Sequence, residues 1–140
     1  MQKTGSVDAE GRYNTNKGSY KPNPKVKGKA TFDISAAYEL GTNAIVGALE
    51  YRLPEANLHL VSTSFDTLVI TGNVAELGGV GTLNGTTTVR FLVTLVDGTP
   101  VDSADRIRMQ IWTVDANGET PLYDDGQAVT VSPGVITVSQ

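Results

Sequence analysis

From residue 105 to residue 114 apolar and polar side chains alternate one by one. Ile107, Met109 and Ile111 lie on one side, and Arg106, Arg108, Gln110 and Trp112 on the other. A period of two is that of a β-strand with one face buried and one face wet. The alternation recurs in residues 26–35, where Val26, Gly28, Ala30, Phe32 and Ile34 share a side, and in 45–53, with Ile45, Gly47, Leu49, Tyr51 and Leu53. It returns in 87–96 with Val89, Phe91, Val93 and Leu95. No segment carries a helical period. Turn pairs separate the runs: Gly72-Asn73, Asn84-Gly85, Asp97-Gly98, Asn117-Gly118 and Pro133-Gly134. Asn-Gly is a strong hairpin signal because both positions accept positive φ. The pattern predicts an all-β chain, an antiparallel β-sandwich or jelly-roll-like fold of about nine or ten strands, with a closed barrel as the next alternative.

Within that frame the reading is specific. Residues 58–61 and 67–71 are expected as two short strands separated by Ser62 to Asp66, and Pro54 ends the strand before them. Residues 75–83 form a strand whose Gly78, Gly79 and Gly81 predict a bulge or a close backbone approach. The expected core includes Phe32, Ile34, Leu68, Ile70, Phe91, Val93, Ile107, Met109 and Ile111. Residues 1–24 are rich in Gly, Asn, Ser and Lys, which predicts an extended arm or edge strand, with residues 25–140 as the sandwich domain.

Composition narrows the chemistry. The chain has 140 residues and no cysteine, so disulfides, thiol nucleophiles and Cys-ligated metals are excluded. No stretch approaches the roughly 20 apolar residues of a membrane-spanning helix, so membrane insertion is not expected. Charge is segregated. All six lysines fall in the first 29 residues, which with Arg12, Asp8 and Glu10 carry +5, while the remainder sets four arginines against 13 acids for −9. An acidic bulk repels phosphate, so nucleic acid is not an expected partner. The asymmetry reads either as a solvated mixed surface or as attraction between the arm and a neighbouring domain or identical subunit, with strand addition at a sheet edge as one means. The alternative for the arm is a disordered tail or an arm folded back on its own sheet.

Asp97, Asp102, Asp105, Asp124 and Asp125 gather around the 105–114 strand. Loop carboxylates are Ca²⁺ ligands, so any bound calcium is expected to take Asp97, Asp105 and Asp124; Asp-Gly is equally an ordinary turn. No other cofactor is indicated. Arg108 sits an odd step from Asp105 and therefore points to the other face, towards an acid on a neighbouring element such as Asp97 or Asp124. Trp112 is either packed or exposed as a platform on which carbohydrate stacks. His59, the one histidine, lies between Leu58 and Leu60 and is expected to face outward. A single histidine beside Ser62, Thr63 and Ser64 makes no triad, and no pair of carboxylates stands out. The chain is not expected to be an enzyme.

One resemblance adds to this. Tyr20-Lys-Pro-Asn-Pro24, Gly28-Lys-Ala-Thr-Phe-Asp-Ile34, the run from Asn57 to Gly72, Gly79-Val-Gly-Thr-Leu-Asn-Gly85, Asp97-Gly98, Asp105-Arg-Ile-Arg-Met-Gln-Ile-Trp112 and Tyr123-Asp-Asp125 occur in this order. Together they resemble the accessory β-domain found after choice-of-anchor modules in secreted bacterial surface proteins. The departures are Thr67 where that pattern carries Trp, Leu60 where it carries Phe, and a short 98–104 loop. The resemblance implies a secreted or cell-surface β-module with no known catalytic activity, and the reading taken from it and the residues together is an extracellular structural or adhesive unit. Arg108, Trp112 and Tyr123 are expected in structural roles. The alternative reading is a carbohydrate-binding accessory module that uses Trp112.

Overall fold

The computed structural model describes residues 5–15, 17–39, 44–98, 105–126, 128–131 and 134–139. Asp102, one of the acids noted above, lies outside the described residues. Ten strands follow in chain order: β1 (Ser6–Asn14), β2 (Lys29–Tyr38), β3 (Ile45–Leu53), β4 (Leu58–Thr71), β5 (Val74–Leu83), β6 (Thr87–Val96), β7 (Arg106–Asp115), β8 (Gly118–Asp124), β9 (Val129–Thr130) and β10 (Gly134–Ser139). One 3-10 turn, Pro54–Ala56, stands between β3 and β4. All pairings are antiparallel, in the order β10-β1-β2-β3-β4-β5-β6-β7-β8, with β9 against the start of β7. The all-β, sandwich-like architecture expected from the alternation is what the chain adopts. Its strands form one continuous sheet that is not closed, and β1 to β8 follow one another as a meander.

The alternation that predicted the strands is the alternation of burial. β2, β6 and β7 bury every second residue on one face. Those faces meet in a single core that contains Phe32, Ile34, Leu68, Phe91, Val93, Ile107, Met109 and Ile111. Ile70, also expected there, packs against the core while only partly buried.

Two elements differ from the sequence reading. The segments 58–61 and 67–71 are one strand of 14 residues, β4. Register shifts at Ser62/Ser64 and Phe65/Thr67 carry the pairing past the polar stretch between them. The glycines of β5 make this possible. A Cβ on Gly79 would lie 2.1 Å from the Ser64 carbonyl oxygen, and one on Gly81 2.6 Å from that of Val61. The expectation of bulges or close approach there is met by both.

The second difference is the arm. Residues 6–14 are neither a loose tail nor an edge strand: β1 is paired on both sides, with β10 and with β2. The apolar side chains Val7, Ala9 and Tyr13 face the core, and that burial outweighs the poor strand propensity of the Gly- and Asn-rich sequence around them. The loop after β1 is tied down as well. Thr15 and Gly28 exchange backbone and hydroxyl hydrogen bonds at its base. Further on, Asp124 donates its amide to the Ser19 carbonyl and Lys21 donates to the Leu122 carbonyl, 2.9 and 2.8 Å. The end of the free edge of β8, residues 122–124, is thereby covered by residues 19–21.

Candidate functional site

The three aspartates expected around calcium are placed by three different elements. Asp97 follows β6. Asp105 precedes β7. Asp124 ends β8, where it pairs with Gln110. Gln110 is five residues along β7 from Asp105, roughly 16 Å at strand rise. Among the described residues no group of three or more His, Asp or Glu side chains could hold a metal. Asp124 thus lies well apart from Asp105, whereas Asp97 and Asp105 both meet amides of β10.

Asp105 is a hub. Its Oδ1 accepts the Gly98 amide at 2.8 Å, its Oδ2 accepts the Ile136 amide at 2.8 Å, and its backbone oxygen accepts the Val131 amide at 2.8 Å. Asp97 Oδ2 accepts the Val138 amide at 3.3 Å. Ile136 and Val138 belong to β10, whose other side pairs with β1. Two carboxylates thus stand where the carbonyls of another strand would be, and bring the first edge of the sheet to the ends of β6 and β7. Buried or half-buried amides must find acceptors, and an unpaired sheet edge invites foreign strands. Asp97 and Asp105 meet both demands. Both sheet edges, expected from the sequence to be open to strand addition, are occupied in part from within the chain.

Asp124 forms a two-point ion pair with Arg108, Nε to Oδ1 and a terminal nitrogen to Oδ2, both 3.1 Å, and accepts the Gly126 amide at 2.8 Å. Burial raises its pKa, but the Arg108 guanidinium and the Gly126 amide outweigh burial and hold the carboxyl below its ordinary value. Arg108 thus reaches one of the two acids considered for it.

Tyr123 points into the core, 1% exposed, and leads to a group the sequence reading did not assemble. Asp125, 7% exposed, receives the Tyr123 hydroxyl on Oδ1 at 2.5 Å. Its Oδ2 receives the Tyr13 hydroxyl at 2.7 Å and the Met109 amide at 2.9 Å. The Tyr51 hydroxyl stands 2.5 Å from that of Tyr13. Since the Tyr13 proton goes to Asp125, Tyr51 is the donor of that pair. The rings interlock: Tyr51 lies 5.8 Å from Tyr123 and 6.3 Å from Tyr13, centroid to centroid. This network joins β1 and β3 to the far end of β8 across the core. Burial raises the pKa of all three tyrosines. Burial also raises that of Asp125, against the three hydrogen bonds that favour its ionised form. Every buried side-chain nitrogen and oxygen among the described residues has a partner.

The outer face holds the remaining candidates. Trp112 is half-buried, and its Nε1 donates to Glu119 Oε2 at 2.9 Å. A register shift between Ile111 and Trp112 opens a groove of about 360 Å³, lined by Gln110, Trp112, Glu119, Pro121 and Asp124. Arg90 of β6 stands opposite Trp112 and is paired with Asp66. His59 faces outward as expected. Its Nε2 lies 2.7 Å from Glu50 Oε2, and Glu50 also accepts from Arg52 at 2.9 Å. The hydrogen bonds from Arg52, then from His59, lower the pKa of Glu50. Ser62 Oγ accepts the Leu49 amide at 2.9 Å.

Chemically, the arrangement provides edge caps, an internal polar clamp and one aromatic groove. Comparison of the chain with protein-family models, with curated proteins and with solved structures gives no match.

Proposed function

We propose that this chain is a non-enzymatic structural or adhesive β-module of an extracellular, cell-surface assembly, of the kind its sequence pattern resembles. One observation carries the reading. The side chains that looked reactive in the sequence are engaged in holding the sheet together: Asp97 and Asp105 with β10 amides, Asp124 with Arg108, and Asp125 with three buried donors. A carboxylate held in that way is a positioned acceptor, and among the described residues the His59 ring meets Glu50 rather than a hydroxyl. The work left for such a module is mechanical spacing and contact with neighbours.

A second reading has its own support in the Trp112 groove. An indole flanked by amide and carboxylate side chains matches the mixed apolar and hydroxyl faces of a sugar ring. A glycan array separates the two readings. The structural reading expects no signal above background. Binding that disappears in Trp112→Ala, with an unchanged melting temperature, would make the module a carbohydrate binder.

A further inference from the structure

The outer face of β1, β2 and β3 carries two parallel rows of opposite charge. Strand register places Glu10 opposite Asp33 and Asp33 opposite Glu50. One step along the strands, Arg12 stands opposite Thr31, Thr31 opposite Arg52, and Arg52 opposite His59. The acidic row is extended at both ends by valines, Val135 of β10 beside Glu10 and Val61 of β4 beside Glu50. Both valines are exposed. Glu10, Arg12, Thr31, Asp33 and Arg52 are exposed as well. Within the described residues Glu10, Asp33 and Arg12 enter no ion pair, although Glu10 and Asp33 are direct cross-strand neighbours. Like charges in that relation repel, so the free chain leaves Glu10 and Asp33 uncompensated, while Glu50 is paired with Arg52 and His59.

We infer that this face is a self-complementary docking surface for a second copy of the chain. A two-fold axis lying across the strands between the two rows reverses their order while keeping each strand over its counterpart. Glu10 of one copy then meets Arg12 of the other, Asp33 meets Thr31, Glu50 meets Arg52, and each contact occurs twice. That is the isologous relation of a two-fold interface. Thr31 is short, which leaves shallow depressions on either side of it, one bordered by Glu10, Arg12 and Asp33 and the other by Asp33, Glu50 and Arg52. Longer side chains of the second copy enter there. A polyanion does not fit the same face, because the acidic row would lie against it. The patch is narrow beside a standard interface, so the association is weak and sensitive to salt. The inference rests on the assembly role proposed above and names its partner.

Sedimentation velocity on the full chain, at rising concentration and at low and high salt, gives the reference. We expect a monomer–dimer equilibrium at concentrations up to roughly 0.5 mM that salt dissociates. Arg12→Glu alone and Glu10→Arg alone should each weaken dimerisation by about tenfold or more, since each places like charges in contact twice. The combined exchange, Glu10→Arg with Arg12→Glu, should return the dimerisation constant to within about threefold of the parent. Melting temperatures of all three variants report that the monomer fold is intact. A monomer at every concentration, or an exchange variant as weak as its single parents, would overturn the inference. Dimerisation that none of the reversals changes would also overturn it, while leaving the assembly role itself standing on another surface.

Discussion

Replacement of Asp125 by alanine is expected to destabilise the fold by about 3–5 kcal/mol, the cost of removing one side of a buried charged network. The substitution takes away the acceptor for Tyr13, Tyr123 and the Met109 amide together. Each buried donor left without an acceptor costs on the order of 1–3 kcal/mol, and water has little access to replace the carboxylate. Asp125→Asn keeps the shape and one acceptor, and a rotated Tyr hydroxyl can take the amide proton, so it should lose only about 1–2 kcal/mol. Urea denaturation of both variants checks this. A loss below about 1 kcal/mol for the alanine variant would show that the network does not clamp the two halves of the sheet.

Alkali should unfold the protein steeply. Burial keeps Tyr13, Tyr51 and Tyr123 protonated in the fold, with pKa values above the ordinary 10 or so. The folded state therefore holds protons that the unfolded chain releases. The stability these groups contribute is fully present below pH 10 and falls as pH rises towards their folded values. Each such group lowers stability by up to about 1.4 kcal/mol per pH unit, and the three together by about 4. Ultraviolet titration should therefore show three tyrosines ionising only together with loss of the β circular-dichroism signal. Three tyrosines that titrate smoothly near pH 10 in the folded protein would contradict their burial. Asp125 has the same sign. Its raised pKa means that its contribution is complete below the ordinary carboxylate value and declines as pH rises through the folded one.

The strands were legible because their signal is local. In β6 and β7 every second residue is apolar, and the chain buries those residues. The bulges of β4 were announced on the partner strand, by Gly79 and Gly81. Misreading residues 62–66 as a break came from their polarity, which the two register shifts accommodate on a wet face. β1 was legible only as an arm or edge strand because its apolar positions are few, and its inner place in the sheet depends on β10, at the other end of the chain. Tyr51 lies on an apolar side that the alternation displayed, and Tyr123 and Asp125 differ by two and so share a face. What no local pattern contains is that Tyr13 and Asp125, 112 residues apart, meet. The same holds for Asp97 and Asp105. Their residue type fits an ion site, a turn or an edge cap, and only the path of β10 decides among these.

Hydrogen exchange at the Ile136 amide tests most directly the claim that side-chain carboxylates, standing in for a strand, draw the open sheet around its core. In the parent protein Ile136, which donates to Asp105 Oδ2, should be protected about as well as the central amides of β5 and β6. In Asp105→Ala that protection should collapse by at least about tenfold more than any change in β5 and β6, as a local opening along β10. An Ile136 amide that exchanges freely in the parent, or keeps its relative protection in the variant, would contradict the account.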